Sequence, residues 1–354
     1  MEENLGHFGS WSVLTTDFLF TLYLALGGVT FSAVLHLCNG QWRFQVRNLA
    51  CALSVLFPIA GVLLLILLAN GEATFQWLGT AHEGAHGGGH HLNGWHNYTF
   101  LVIREIGGFL AVVALCFLFI KLQRESELDS SYKAQRRYRN VALLIPFAYF
   151  IYGSMVAWDF EMTMVPSWHS ASYAPYFFQS NFHMFLGFFT ILLFALHKAD
   201  VLTKPFEGYI FNFMAQFMLG MTILWTYLYF TQYLIMWYGR FPTEMGRYNG
   251  MMLGSFAGMW WTFLAFKFFI PFLTLIFTPN RHNPVIITMV ACFIVLGTWM
   301  ERYTWIAGSV PMEYHHLPMS SMFDIVVTAA VIGISWWAVK WSLTRNGLIQ
   351  RSPS

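Results

Sequence analysis

The stretch from Tyr152 to Phe178 carries the densest set of groups able to do chemistry. Asp159 and Glu161 close an apolar run, Pro166, Ser167, Trp168, His169 and Ser170 follow, and apolar chain resumes at Tyr176-Phe177-Phe178. A carboxylate at the edge of a hydrocarbon layer is costly unless it is paired or protonated. Two acids and an imidazole at one such boundary can hold a proton and hydrogen-bond a small ligand. The plainer alternative is that they mark the headgroup edge.

Other polar residues stand out against apolar surroundings. Arg104 and Glu105 open another apolar run, and Arg104 can pair with Asp159 or Glu161 if the two runs are antiparallel neighbours. The alternative is a snorkelling Arg beside a boundary Glu. Lys267 lies deep in a third run, just before Pro271. A buried Lys loses its proton or finds a partner, and a proline removes a helix hydrogen bond and kinks the run. Lys267 therefore suits a proton relay, or else a side chain reaching for the interface. His183 and His197 are 14 residues apart on one run, about 21 Å along a helix. That is the separation of two stacked haems, but no second run supplies a facing pair. His183 can instead join the Asp159 cluster. Glu301 and Arg302 read as a local ion pair, and Asp17 and Asp324 as acids tolerated at helix starts.

Metal chemistry finds little support. His82-Glu83-Gly84-Ala85-His86 is a formal H-E-x-x-H, but glycines surround it and Gly87–Gly89 follows, whereas the zinc motif needs a helix. A solvated loop, lying on a partner, fits better. Cys38, Cys51, Cys116 and Cys292 are scattered and form no C-x-x-C or C-x-x-C-H, so neither an iron–sulfur cluster nor covalent haem c is signalled, and no metal ligand set is assigned on this chain.

The elements that must position these groups are membrane spans. The 354 residues are 57% hydrophobic and 10% charged, with mean hydropathy +0.52; a soluble domain is about 25% charged. The expected class is an all-α polytopic membrane protein with nine spans of roughly 20 residues. They are read as Thr15–Cys38, Asn48–Leu68, Phe100–Lys121, Val141–Met162, Phe177–His197, Phe211–Tyr238, Met251–Phe277, Pro284–Trp305 and Met322–Leu343. Two four-helix bundles plus one helix would accommodate them. The first twelve residues lack the basic segment of a cleavable signal. Residues 1–14 read as a short N-terminus, 15–345 as the membrane domain with a His- and Gly-rich loop at 70–99, and 346–354 as a tail. Alternate connections hold fourteen Lys or Arg on one side against three on the other. The positive-inside rule then places the C-terminus in the cytoplasm and the N-terminus in the periplasm, with Asp159, Glu161 and His169 facing the periplasm.

Four stretches, in order, resemble a known group. They are Tyr98-Thr99-Phe100-Leu101-Val102-Ile103-Arg104; Ala157-Trp158-Asp159-Phe160 through Pro166, Trp168, Ser170 and Tyr176-Phe177-Phe178; Trp225-Thr226-Tyr227 through Gln232-Tyr233-Leu234-Ile235-Met236-Trp237-Tyr238, with Pro242 and Glu244; and Lys267-Phe268, Pro271-Phe272, Arg281, Asn283-Pro284 and Trp299 to Tyr303. The chain resembles the NrfD-like quinone-interacting membrane proteins, and within them the ActF-type subunits of the bacterial alternative complex III. It departs from their pattern at Ser167 and Lys267, where the group carries histidine, and in having nine spans rather than ten.

The resemblance implies an accessory subunit of a quinol:cytochrome c oxidoreductase in the bacterial inner membrane. It implies a scaffold with a proton-translocation path or a second quinone site, formed from Asp159, Glu161, His169, Arg104, Glu105, His183 and Lys267. Implied partners are an ActC-like sister, an iron–sulfur ActB-like subunit, multihaem ActA-like and monohaem ActE-like cytochromes, a small ActD-like subunit and membrane lipids, with no nucleic acid. Haem c and iron–sulfur clusters would sit on those partners. This chain would bind no cofactor covalently, and at most a quinone, quinol or lipid. Rival readings are a direct quinol-oxidising NrfD-type anchor, a proton-coupled transporter and a haem carrier.

Overall fold

The computed structural model describes residues 2–78, 94–310 and 315–350, without the side chains of residues 2–10 and 243. Among these residues the chain is helical and has no strand; one isolated antiparallel bridge joins Leu202 to Ile349. Nine described helices are long and apolar enough to cross a membrane. We label them α1 (Glu2–Leu37), α2 (Arg43–Ala69), α3 (Tyr98–Leu128), α4 (Tyr132–Met162), α5 (Tyr173–Lys198), α6 (Tyr209–Tyr238), α7 (Ala257–Leu275), α8 (Pro284–Ala307) and α9 (Met322–Arg345).

The helix starts follow from capping. Asn97, Ser131, Asn283 and Ser321 each accept a hydrogen bond from a backbone N–H in the first turn of α3, α4, α8 and α9, satisfying donors that have no partner within the helix.

α1 is the central post. Its apolar stretch is 89% buried, against 22% for α9, and it packs on α2, α4, α5, α8 and α9. Two glycines make this possible. A Cβ at Gly28 would stand 2.2 Å from the Ala50 carbonyl oxygen, and one at Gly27 would stand 2.5 Å from the Phe185 ring. Without side chains there, α2 closes onto α1 backbone to backbone at Gly28, and the Phe185 side chain of α5 seats directly on the α1 backbone at Gly27. Around this post α3 pairs with α4, and α5 pairs with α6 and α8. α7 packs on α8, and α9 lies against α1 and α2.

The structure departs from the sequence reading at two helix ends. The expected seventh span, Met251–Phe277, is broken: Pro242–Leu253 forms a separate helix, Gly254 leaves helical geometry, and α7 begins at Ala257. Asp17 does not sit at a helix start. α1 begins fifteen residues earlier, and Asp17 is buried in its body, accepting from Thr328 Oγ1 at 3.0 Å and Trp299 Nε1 at 3.4 Å. Asp324 does lie in the first turn of α9, where His316 Nε2 approaches it at 2.9 Å. The Gly-rich H-E-x-x-H segment at 82–86 lies outside the described residues.

Candidate functional site: two buried charge clusters

α4 ends in a π-helical turn, Trp158–Met162, closed by Thr163 Oγ1 donating to the Trp158 carbonyl at 2.7 Å. Residues two apart on a helix do not face each other. Asp159 and Glu161 therefore leave this turn on opposite sides, both fully buried, and found two separate clusters rather than one.

The first cluster lies between α3 and α4. Arg104 grips Asp159 with both arms of its guanidinium, Nε to Oδ2 at 2.7 Å and Nη2 to Oδ1 at 2.5 Å. Trp95 Nε1 donates to Oδ1 at 2.7 Å, and its ring lies 4.1 Å under the Arg104 guanidinium. This bidentate, charge-assisted geometry is the strong form of a carboxylate pair. Glu105, the next residue, is fully buried, and neither of its oxygens has a hydrogen-bond partner.

The second cluster joins α4, α5, α7 and α8. Glu161 Oε2 accepts from Arg302 Nη1 at 2.7 Å and from the Tyr173 hydroxyl. Arg302 Nη2 also lies 3.3 Å from Glu301. Glu301 in turn accepts from Ser180 Oγ at 2.6 Å, Trp225 Nε1 at 3.0 Å, the Tyr176 hydroxyl and Lys267 Nζ. The adjacent residues Glu301 and Arg302 are thus in contact, yet each has its principal partner on another helix. Lys267 reaches this place from a second π-helical turn, Ala265–Phe269. Pro271 has no N–H to offer the Lys267 carbonyl, and the helix loosens just there. Two carboxylates and two cations balance, and all four side chains are fully buried.

Arg247, from the short helix Pro242–Leu253, closes the second cluster from above. It donates to the carbonyls of Glu161 at 2.8 Å, Met162 at 3.2 Å and Trp305 at 3.0 Å. These carbonyls belong to the ends of α4 and α8, which lack partners inside their own helices. Burial pulls the Arg247 guanidinium below its ordinary value. His96, between α2 and α3, is half-buried beside Thr163, and burial lowers its imidazole too.

The two remaining candidates stand apart. His169 is exposed, with Nδ1 3.2 Å from the Ser167 carbonyl, and joins neither acid. It lines a cavity of about 270 Å³ with Ser170, Gln232, Phe241 and Glu244. His183 is buried on α5 with Nε2 3.2 Å from Thr222 Oγ1. The charges acting on it are Lys267 and Glu301, so it belongs beside the second cluster and not with Asp159.

Sequence reasoning missed Tyr173, Tyr176, Ser180 and Arg247. The first three recur at spacings of three and four, a polar stripe along one face of α5 that was legible as such. Arg247 carried no such signal. Among the described residues no group of His, Cys, Asp and Glu could hold a metal ion. The arrangement suits holding and passing charge through a low-dielectric layer.

No protein-family model matches the chain, and no curated protein matches it as a relative.

Proposed function

We propose that the chain is an integral membrane subunit of a quinol-oxidising electron-transfer complex, of the ActF type, and that it combines a scaffold with a path for protons. In this reading it lies in the bacterial inner membrane with its N-terminus in the periplasm and its C-terminus in the cytoplasm. Two four-helix bundles plus one further helix form the body. Iron–sulfur clusters and haem c sit on partner subunits, and this chain carries none covalently.

The observation that carries the reading is the row Glu161, Arg302, Glu301, Lys267, with Ser180 and His183 beside it, buried where helices cross. Buried ion networks cost desolvation energy that an apolar core of the same shape avoids. Ionisable residues within a membrane mark ion or proton pathways by default. Three of the four ordered motifs that resemble the NrfD-like group meet in the same place, since Tyr176, Trp225, Lys267 and Glu301 come from them; the first supplies Arg104 to the other cluster. The two π-helical turns supply the local irregularity that such sites use.

A test is the paired variant Lys267→Met with Glu301→Gln in the complex reconstituted into liposomes. The charges are removed together, so neither is left unpaired. The proton-to-electron ratio is expected to fall while the complex stays assembled. An unchanged ratio refutes the proton path.

The cavity beside His169 favours a second reading, direct quinol binding at this subunit. Its wall offers an imidazole, a serine hydroxyl, an amide and a carboxylate to a polar ring. His169→Ala together with Gln232→Leu would raise the quinol KM if that reading holds and leave it unchanged if it does not.

A further inference from the structure

We propose that Glu105 is the carboxyl of this chain that takes up and gives back a proton, and that Asp159 and Glu161 are fixed countercharges. This deepens the proton-path reading and rests on it.

Three carboxyls stand near the junction of α3 and α4, and they are not equivalent. Asp159 has both oxygens engaged by Arg104 and one also by Trp95. Glu161 is paired with Arg302 and accepts from Tyr173. Glu105 has no hydrogen-bond partner on either oxygen and no exposure to solvent. The one guanidinium of its cluster is already bound to its neighbour. Asp159 flanks it from α4, the Tyr152 and Tyr23 hydroxyls flank it from α4 and α1, and His96 stands at the rim. A second negative charge here would have no cation of its own in a layer that tolerates none. A proton is the counter-ion left to it.

The packing around Glu105 is built to bring hydroxyls to it. A Cβ at Gly108, one turn along α3, would stand 2.8 Å from the Tyr152 ring, so only glycine lets that ring lie flat on α3. A Cβ at Gly153 would stand 3.3 Å from the Tyr23 hydroxyl, which contacts the Gly153 carbonyl at 3.5 Å. The Tyr152 hydroxyl is buried and unpartnered like the acid beside it. The Tyr23 ring meets the edge of Tyr149 at 5.6 Å, one turn nearer the Arg- and Lys-rich end of α4. The Tyr152 and Tyr23 hydroxyls are thus held near the carboxyl, while the Tyr149 hydroxyl turns to the Phe178 carbonyl at 3.5 Å. In each cycle the O–H bond of the Glu105 carboxyl breaks and re-forms. The proton leaves on the side of the Tyr152 and Tyr23 hydroxyls and is replaced by one from water at the Trp95–His96 rim, so no oxidant or reductant is consumed.

The test is infrared difference spectroscopy of the purified, assembled complex titrated in pH, and again on addition of a short-chain quinol. A carboxylic-acid C=O band that shifts in D2O is expected in the wild type, lost whole in Glu105→Gln, and restored at a displaced frequency in Glu105→Asp. Tyr152→Phe should move the band without removing it, because the neighbouring hydroxyl is gone and the acid remains. A band unchanged in Glu105→Gln overturns the proposal, as does a wild-type complex in which no such band responds to pH. If the band titrates and vanishes in Glu105→Gln but liposomes show no proton movement, the assignment of Glu105 stands and the proton-path reading falls.

Discussion

Lys267 and Glu301 meet across the contact between α7 and α8 with neither side chain exposed, and every polar neighbour they have is itself buried. The pair is thirty-four residues apart in sequence. Four donors converge on the Glu301 carboxylate, and the Lys267 ammonium lies 4.9 Å above the Trp225 ring. A charge pair placed this way has no water to fall back on when one member is removed.

Breaking it should therefore be costly and mending it cheap. Lys267→Met alone is expected to lower stability by about 3–5 kcal/mol, since it leaves two buried carboxylates, Glu161 and Glu301, sharing the single Arg302 cation. The pair Lys267→Met with Glu301→Gln should recover most of that loss. Thermal unfolding of the detergent-solubilised protein checks both. A double variant no more stable than the single one would show that the pair is not the source of the cost.

Arg104 and Asp159 should behave as a unit. Arg104→Lys keeps the charge but loses the planar fork that engages both carboxylate oxygens, so it is expected to be destabilising by about 1–3 kcal/mol. Asp159→Asn, and the combination of the two, complete a double-mutant cycle. The coupling energy should exceed about 0.5 kcal/mol, the usual mark of residues in direct contact. Additive effects would contradict the geometry.

Arg247 holds helix ends rather than acids. Arg247→Met should leave three carbonyls at the ends of α4 and α8 without donors, at about 1–3 kcal/mol for each group left buried and unsatisfied. The effect should be local first. Faster hydrogen exchange at Met162, Thr163 and Trp305 is the expected sign, and exchange unchanged from wild type would remove Arg247 from this role.

Acid should loosen the segment around His96. Burial holds its imidazole below the ordinary value of 6.5, so the unfolded state binds the proton more readily than the folded one. The stability it contributes is complete above about pH 6.5 and is lost as pH falls from there through the lowered folded value. Exchange of residues 94–97, taken relative to the intrinsic amide rate at each pH, should accelerate on acidification below pH 6.5. In His96→Gln the acceleration should flatten, and a profile as steep as wild type would assign it to another group.

Much of the fold was legible in the sequence because a bilayer imposes a simple rule. Every backbone polar group must be satisfied within its own segment, so apolar runs of sufficient length become helices. The nine runs correspond to the nine described helices long and apolar enough to cross a membrane, apart from the break at Gly254 in the seventh. The ends agree less well: the Pro242–Leu253 helix and the long start of α1 lie where aromatic and polar residues mix, and hydropathy carries no edge there. The site was half legible. Its charged members stood out singly, because a charge in an apolar run is rare, and so Asp159, Glu161, Arg104, Glu105, His183, Lys267, Glu301 and Arg302 could all be picked out.

Which of them touch was another matter. Asp159 and Glu161 are two residues apart, and a helical turn sends them to different neighbours. Glu301 and Arg302 are adjacent, and each finds its main partner on a different helix. His169 lies close to the acids in sequence and bonds to neither, its Nδ1 lying instead 3.2 Å from the Ser167 carbonyl. Residue type and apolar context by themselves determined that this is a helical chain of membrane-spanning length with charges held inside it. The rotation and close approach of the helices, set by Gly27 and Gly28 and by two π-helical turns, decided which charges neutralise one another and left Glu105 alone. That follows because charge pairing across helices depends on distances of a few ångströms, and only the packed bundle sets those.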